Sequence, residues 1–124
     1  MMKKLLTIVG ICAILCSLSY GVMSSPVMRT AKCTAYCSNC DTSGITRSGK
    51  PLSTKYCAAD PKYWRPGTVI KFGAPVNRNY TVEDTGAAVK GRDRFDLCVA
   101  RGTCNKFGVK KVSYTVIKTS KRHW

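Results

Sequence analysis

The chain has 124 residues, enough for one small domain once a targeting segment is set aside. Its 21 lysines and arginines against six acidic residues give a formal net charge of +15, which attracts polyanions. No arginine-rich block or aromatic–basic RNA motif is present, so we expect no nucleic-acid partner. Motifs of serine nucleophiles, phosphate loops and metalloprotease helices are also missing, which leaves carboxylates as the catalytic groups.

The N-terminus has the pattern of a secretory signal. Lys3 and Lys4 precede an apolar stretch that begins at Leu5, and small residues follow it. We predict a signal peptide over residues 1–24 with cleavage near residues 21–24, and hence a secreted or periplasmic, cell-wall-associated protein. The alternative is an uncleaved anchor, and only then would a membrane be a partner.

Two of the eight cysteines lie within the predicted signal, and six remain. An even number in a small exported chain is typical of disulfides, so we expect three, although six cysteines allow 15 pairings. A zinc site built on Cys37-x-x-Cys40 and Cys57 is the alternative, but the chain has a single histidine. We therefore expect neither a metal nor a cofactor. The disulfide candidates are Cys33, Cys37, Cys40, Cys57, Cys98 and Cys104.

Short β-rich runs separated by turn residues fill the rest of the chain, which predicts an all-β fold. A closed six-stranded barrel solves the edge problem at this size better than a sandwich does. One helical turn is expected within residues 101–108. We divide the chain into a lead-in (25–32), the barrel (33–118) and a polar, frayed basic tail (119–124). The predicted strands are Ala31–Tyr36, Lys55–Ala59, Thr68–Phe72, Tyr80–Asp84, Arg94–Val99 and Lys111–Lys118.

Alternation along the fifth predicted strand sorts its residues into two faces. Phe95, Leu97 and Val99 share one face and should enter the core. Asp96 and Cys98 then lie on the opposite face. An acid held on a rigid strand between two core anchors suits catalysis, and it equally suits a surface aspartate.

The fourth predicted strand ends in two acids. By alternation, Asp84 shares an apolar face with Tyr80 and Val82, so it should be partly buried and needs hydrogen-bond donors. The turn at Thr85-Gly86 offers such amides. Glu83 points to the other face, which makes it a poor partner for an acid pair.

Four segments together resemble the three-aspartate (3D) domain family. The resemblance extends over roughly Cys33 to Lys118. The segments are Ala58-Ala59-Asp60, Pro66-Gly67-Thr68-Val69, the run from Val82 to Gly91, and Phe95-Asp96-Leu97. Thr34-Ala35-Tyr36-Cys37 before them and Lys106-Phe107-Gly108 after them also agree with the family pattern.

The resemblance implies a double-psi β-barrel that cleaves the MurNAc–GlcNAc β-1,4 bond of peptidoglycan without water, leaving a 1,6-anhydro sugar. In the transglycosylases of this family the aspartate of the Phe-Asp pair is the acid, which here is Asp96, and Asp84 supports it. The first aspartate corresponds to Asp60, which we expect to be mainly structural because Asp-Pro favours a turn. Lys90, Thr85 and Gly86 are further supporting candidates. Lys90, with Arg92, could either oppose the increase in the pKa of Asp96 or hold a stem-peptide carboxylate.

The sequence departs from the family pattern in two places near these aspartates. Ala87 replaces a glycine, which calls into question a positive φ at that point. Cys98 and Cys104 are six residues apart and could close a small loop beside the site. The second domain that forms the substrate groove in larger transglycosylases is not recognised, which predicts weak activity.

The expected partner is a peptidoglycan glycan strand or another anionic wall polymer, bound by a monomer. Three functions remain open at this point. The first is lytic transglycosylase activity. The second is an expansin-like module that binds or loosens the wall without catalysis, and the third is a cationic effector that acts on anionic envelopes.

Overall fold

The computed structural model describes residues 27–37 and 44–124, which form six strands and one helix. Every predicted strand is present, and the helical turn predicted after the fifth strand is confirmed. The elements are β1 (Arg29–Cys37), β2 (Tyr56–Ala59), β3 (Val69–Phe72), β4 (Arg78–Asp84), β5 (Arg94–Val99), α1 (Arg101–Phe107) and β6 (Lys110–Lys118).

The strands close into a barrel in the order β1-β5-β2-β4-β3-β6. Two pairs, β1 with β5 and β2 with β4, are parallel, and the other four are antiparallel. Parallel neighbours require crossover connections, which distinguishes this barrel from an up-and-down barrel built of hairpins. The predicted fold class, an all-β six-stranded barrel with a short helix, is confirmed.

Aromatic rings fill the barrel interior. Phe95 lies 5.1 Å from Tyr114 and 5.3 Å from Phe72 between ring centroids, and Tyr80 packs edge-on against Phe72. All four side chains are at most 2% exposed. The inward face predicted for β5 is confirmed, since Phe95 and its alternate neighbours are buried.

The C-terminal residues were predicted to be frayed, and this prediction is wrong. Trp124 donates its indole N–H to the backbone oxygen of Trp64 at 2.9 Å and packs against the core. Arg122 reaches the buried carboxylate of Glu83 at 2.9 Å. The polar composition of the segment concealed two anchoring side chains, one aromatic and one charged. We call residues 119–124 the C-terminal clasp.

The last strand ends at Lys118, as predicted, but the first strand begins earlier than predicted. The first strand begins at Arg29, so half of the segment assigned as a lead-in belongs to the barrel. The predicted signal peptide lies outside the described residues, and so does Cys40. Within residues 27–37 and 44–124, no helix has both the length and the apolar character needed to cross a membrane.

The prediction of three disulfides is corrected to one among the described cysteines. Cys37 and Cys104 are bonded, with Cα atoms 5.5 Å apart, so Cys104 does not close a small loop with Cys98. Cys33, Cys57 and Cys98 are free and buried.

Strand geometry explains why these three thiols stay apart. Cys33 on β1 and Cys57 on β2 both face the core, but β5 lies between them, so their strands are about 10 Å apart. That exceeds the Cα separation of roughly 7 Å that a disulfide can bridge. Cys57 is paired in register with Leu97, so Cys98 lies on the opposite face of the sheet. Cys33 and Cys57 therefore pack in the core as small apolar groups, whereas the Cys98 thiol interacts with Tyr36 and the backbone of Ser53.

Candidate functional site

One row of residues crosses four neighbouring strands on the outer wall of the barrel. The register pairs Thr34 of β1 with Asp96 of β5, Asp96 with Ala58 of β2, and Ala58 with Asp84 of β4. Two strand spacings separate the backbones of the two aspartates, about 10 Å. Because the residue between them is an alanine, both carboxyl groups face the space above it.

A bulge brings Asp84 into this row. The β2–β4 register shifts between Cys57 and Ala58, so that Cys57 is opposite Val82 but Ala58 is opposite Asp84. An extra residue in one strand reverses the face of the residues after it. The prediction that Asp84 shares the inner face of Tyr80 and Val82 is therefore wrong, because simple alternation cannot anticipate the bulge.

Asp96 has the environment of a carboxylic acid rather than of a paired carboxylate. Burial raises its pKa above the usual value of 3.8, and the charge of Asp84 adds to that increase. A hydrogen bond from Thr34 Oγ1 to Asp96 Oδ1 at 2.9 Å and the nearby Arg94 partly oppose it. A raised pKa keeps more of the group protonated near neutral pH, as a proton donor requires.

Asp84 is held in place by three donors. The backbone N–H groups of Arg47 and Thr85 donate to Asp84 Oδ1 at 3.0 and 2.9 Å. The hydroxyl of Tyr36 donates to Oδ2 at 3.5 Å. This carboxylate is thus fixed as an acceptor beside the acid, and the amide of the turn residue Thr85 contributes as predicted.

Tyr36 lies in a segment that the family resemblance includes, but the sequence analysis did not predict it as a site residue. It lies two residues beyond Thr34 on β1, on the same face, and reaches across to Asp84. Burial is the largest cause that raises the pKa of Tyr36, and the neighbouring acids raise it further. The phenol therefore remains neutral and can donate a hydrogen bond. The sequence signal for Tyr36 is its place in the segment Thr34-Ala35-Tyr36-Cys37, but its contact with Asp84, 48 positions away, becomes visible only in the folded barrel.

These side chains line a cleft of about 330 Å³. Thr85 and Gly86, which the sequence analysis gave as supporting residues, line the cleft beside the two aspartates. Gly86 has a packing reason to be glycine, since an added Cβ would lie 3.0 Å from Val89 Cγ2. The cleft is lined by Tyr36, Cys37, Ala58, Asp84, Thr85, Gly86 and Asp96.

Asp60 lies outside the cleft and has a structural task. It is 3% exposed and accepts the backbone N–H groups of Lys62 at 3.0 Å and Gly91 at 2.8 Å. The Gly91 amide, followed by that of Lys62, lowers its pKa. Gly91 adopts φ +98°, a conformation that suits glycine. Asp60 thereby connects the end of β2 to the segment after Asp84. Lys90, the other supporting residue predicted in that segment, is exposed and does not line the cleft.

The alanine at position 87 is accommodated without a positive φ. Among the described non-glycine residues only Asn77 has a positive φ, and Ala87 is exposed. The departure from the family pattern therefore does not strain this turn.

Metal-ligating side chains do not cluster in the described part of the chain. No group of three histidine, cysteine or acidic side chains there is arranged to hold a metal ion. Cys37, one of the residues considered for zinc, is bonded to Cys104 instead.

The fold and the cleft define a class of protein, a small closed β-barrel with two aspartates on its wall, one with a raised pKa and one held by backbone donors. The family model of the 3D domain matches residues 55–118, which span β2 to β6. The chain therefore belongs to that family. The 3D domain occurs in peptidoglycan-active proteins of the lytic transglycosylase type. No curated protein matches the chain.

Proposed function

We propose that this protein is a lytic transglycosylase that cuts the β-1,4 bond between MurNAc and GlcNAc in peptidoglycan. The observation that carries the proposal is the state of Asp96, a half-buried carboxyl group whose pKa is raised beside the fixed Asp84. Hydrolytic glycosidases use two carboxyl groups, one as acid and one as base or nucleophile. A lytic transglycosylase needs one group that gives a proton and takes one back.

The reaction balances with Asp96 alone as the proton carrier. Protonated Asp96 donates to the glycosidic oxygen as the bond from the MurNAc C1 breaks. The 6-hydroxyl of the same MurNAc then bonds to C1 and returns its proton to Asp96, so no water is consumed. The negative charge of Asp84 favours both the protonated form of Asp96 and the positive charge that develops on the sugar.

The products distinguish this reaction from hydrolysis. Purified peptidoglycan is incubated with the wild-type protein, and soluble fragments are identified by mass spectrometry. We expect 1,6-anhydro-muropeptides from the wild type and none from Asp96→Asn. Asp93→Asn is the matched control, because Asp93 is exposed, accepts a hydrogen bond from Tyr114 that asparagine can also accept, and does not line the cleft. Reducing-end products, or full activity of Asp96→Asn, would contradict the proposal.

A wall-binding module without catalysis is the second candidate, and the charge of the chain favours it. Both ion pairs of the described residues involve Glu83, which leaves most lysines and arginines available to anionic polymers. In that case both wild type and Asp96→Asn would be retained on purified cell walls, release would follow rising salt, and no fragments would appear.

Export of the protein is part of the same proposal. The disulfide between Cys37 and Cys104 supports it, because such bonds persist in oxidising compartments. The mass of the protein recovered from outside the cytoplasm should correspond to cleavage near residues 21–24. An intact N-terminus would indicate the membrane anchor instead.

A further inference from the structure

A second groove lies at the mouth of the barrel where β5 ends and β4 begins. Its volume is about 500 Å³, within the usual range of ligand sites. Its floor is apolar, formed in part by Tyr80, Val76 and Phe107. We call this space the mouth groove. It is lined by Thr54, Pro75, Val76, Arg78, Tyr80, Val99, Ala100, Thr103, Lys106, Phe107 and Lys110.

Three cations border the mouth groove. Arg78 lies over the ring of Tyr80, with its guanidinium carbon 5.2 Å from the ring centroid. Lys110 lies over the ring of Phe107 at 5.2 Å, and Lys106 belongs to the same lining. Among the described residues, no acidic side chain lines this groove, and none forms an ion pair with these cations. The groove therefore favours a ligand that is both anionic and partly apolar.

The mouth groove and the catalytic cleft share a wall. In α1, Cys104 is bonded to Cys37 of the cleft, while Thr103, Lys106 and Phe107 line the groove. Along β5, Val99 of the groove follows Asp96 of the cleft by three residues, about 10 Å along the strand. The two side chains lie on opposite faces, so a ligand that reaches from the cleft to the groove passes around the end of β5. A tetrapeptide in extended form spans about 13 Å.

We propose that the mouth groove binds the stem peptide of a peptidoglycan strand whose sugar lies at Asp96. This inference rests on the proposed function and names a second part of its substrate. A stem peptide combines free carboxylates with the methyl groups of its alanines. The carboxylates pair with Arg78, Lys106 and Lys110, and the methyl groups lie on the apolar floor. Its length matches the distance from the acid to the groove.

The same observations argue against a polyol phosphate polymer as the occupant. Such a polymer carries negative charge at regular intervals but has no apolar groups to cover Val76, Tyr80 and Phe107. Its binding would depend on the cations alone. The apolar floor is thus the feature that selects a peptide.

The test uses a peptide without sugar, so that binding is measured apart from cleavage. The probe is the N-acetylated tetrapeptide L-Ala–D-Glu–diaminopimelate–D-Ala, titrated into the oxidised protein and followed by NMR chemical shifts and calorimetry. We expect the largest shifts at Val76, Val99 and Phe107. The double variant Arg78→Gln with Lys110→Gln should weaken binding at least tenfold.

A matched variant separates specific pairing from general charge. Lys71→Gln with Lys111→Gln removes the same charge from two exposed positions outside the groove, and binding should change less than twofold. Equal weakening in both double variants would overturn the proposal. So would shifts confined to the cleft around Asp96, tighter binding of an oligomeric glycerol phosphate in the groove, or no binding of the peptide at millimolar concentration.

Failure of the groove and failure of the proposed function give different results. If the peptide binds in the groove but cell walls release no fragments, the groove assignment stands and the catalytic proposal fails. If fragments are released but the peptide does not bind, the catalytic proposal stands and the groove assignment fails.

Discussion

Two acids on β4 and β5, Glu83 and Asp96, show how a similar chemical group acquires opposite properties. Burial disfavours the charged form of both carboxyl groups. At Glu83, hydrogen bonds from Arg122, Lys50 and Ser48 outweigh burial, and the pKa falls below its usual 4.5. At Asp96 the direct donor is a hydroxyl group, and the pKa rises. The charge of the donors, rather than burial, thus separates the ionised anchor at Glu83 from an aspartate whose pKa is raised.

The largest expected effect concerns catalytic rate. Asp96→Asn should lower the rate of fragment release by a factor of about 100 or more, since general acid catalysis typically contributes roughly 10²–10⁴-fold. Glu83→Gln, measured at a temperature where it stays folded, should change that rate less than threefold. Fragment release is quantified by liquid chromatography at equal protein concentrations. A large loss of rate in both variants would mean that the two acids are not functionally distinct.

The effects of the two variants on stability should have the reverse order, with the larger loss in Glu83→Gln. Glu83→Gln should lower the free energy of unfolding by about 2 kcal/mol, less than the loss for a fully buried pair because Lys50 and Arg122 are half exposed. Asp96→Asn should change it by about 0.5 kcal/mol or less, because no cation forms an ion pair with that carboxyl among the described residues. Urea denaturation of the oxidised proteins provides the measurement. The comparison fails if the two variants are equally destabilised.

The C-terminal clasp contributes a smaller part of the same anchor. Arg122→Gln should cost about 1 kcal/mol, since Lys50 still pairs with Glu83. Lys121→Gln, one residue earlier and exposed, is the matched control and should be neutral. Equal urea midpoints for the two variants would show that the clasp does not stabilise Glu83.

The pH dependence should differ in sign between the two acids. A lowered pKa means that Glu83 stabilises the folded state above pH 4.5 and that this contribution is lost as pH falls through the folded-state pKa. A raised pKa means that Asp96 costs stability as pH rises from 3.8 through its folded-state pKa. Urea midpoints are measured across acidic pH. In Glu83→Gln the loss of stability at low pH that comes from Glu83 should disappear, and in Asp96→Asn the loss of stability with rising pH that comes from Asp96 should disappear.

The pH dependence of activity tests the direction of the Asp96 pKa shift in a second way. Because Asp96 must be protonated to act, the rate should fall as pH rises through its pKa. Asp84→Asn removes a charge that raises this pKa, so the falling limb should move to lower pH. A limb that moves upward or does not move would contradict electrostatic coupling between the two aspartates.

Local patterns in the sequence predict the strands well, and pairings between distant strands explain what they miss. The alternation around Phe95 identifies both the core face of β5 and the outer position of Asp96, because both depend only on adjacent residues. The neighbours of Asp96, by contrast, come from β1 and β2 through the barrel closure. The bulge that turns Asp84 toward the cleft, and the indole of Trp124 that reaches Trp64, likewise depend on contacts between distant segments.

Cysteine pairing is a second feature that local sequence patterns do not predict. Counting cysteines indicates an exported, cross-linked protein, but which thiols meet depends on strand order. Cys33 and Cys57 both face the interior, and only the placement of β5 between them keeps them apart. The pair that does form joins the end of β1 to α1, which follows β5 in the chain.

The Cys37–Cys104 cross-link closes a ring that contains β2, β3, β4 and β5, because the two cysteines are 67 residues apart in sequence. A protease that cuts any one peptide bond inside the ring leaves both pieces covalently joined. The barrel can then hold its shape through its strand pairs even after such a cut. In surroundings rich in proteases, a single nick would not separate the segment carrying Tyr36 from the segment carrying Asp96.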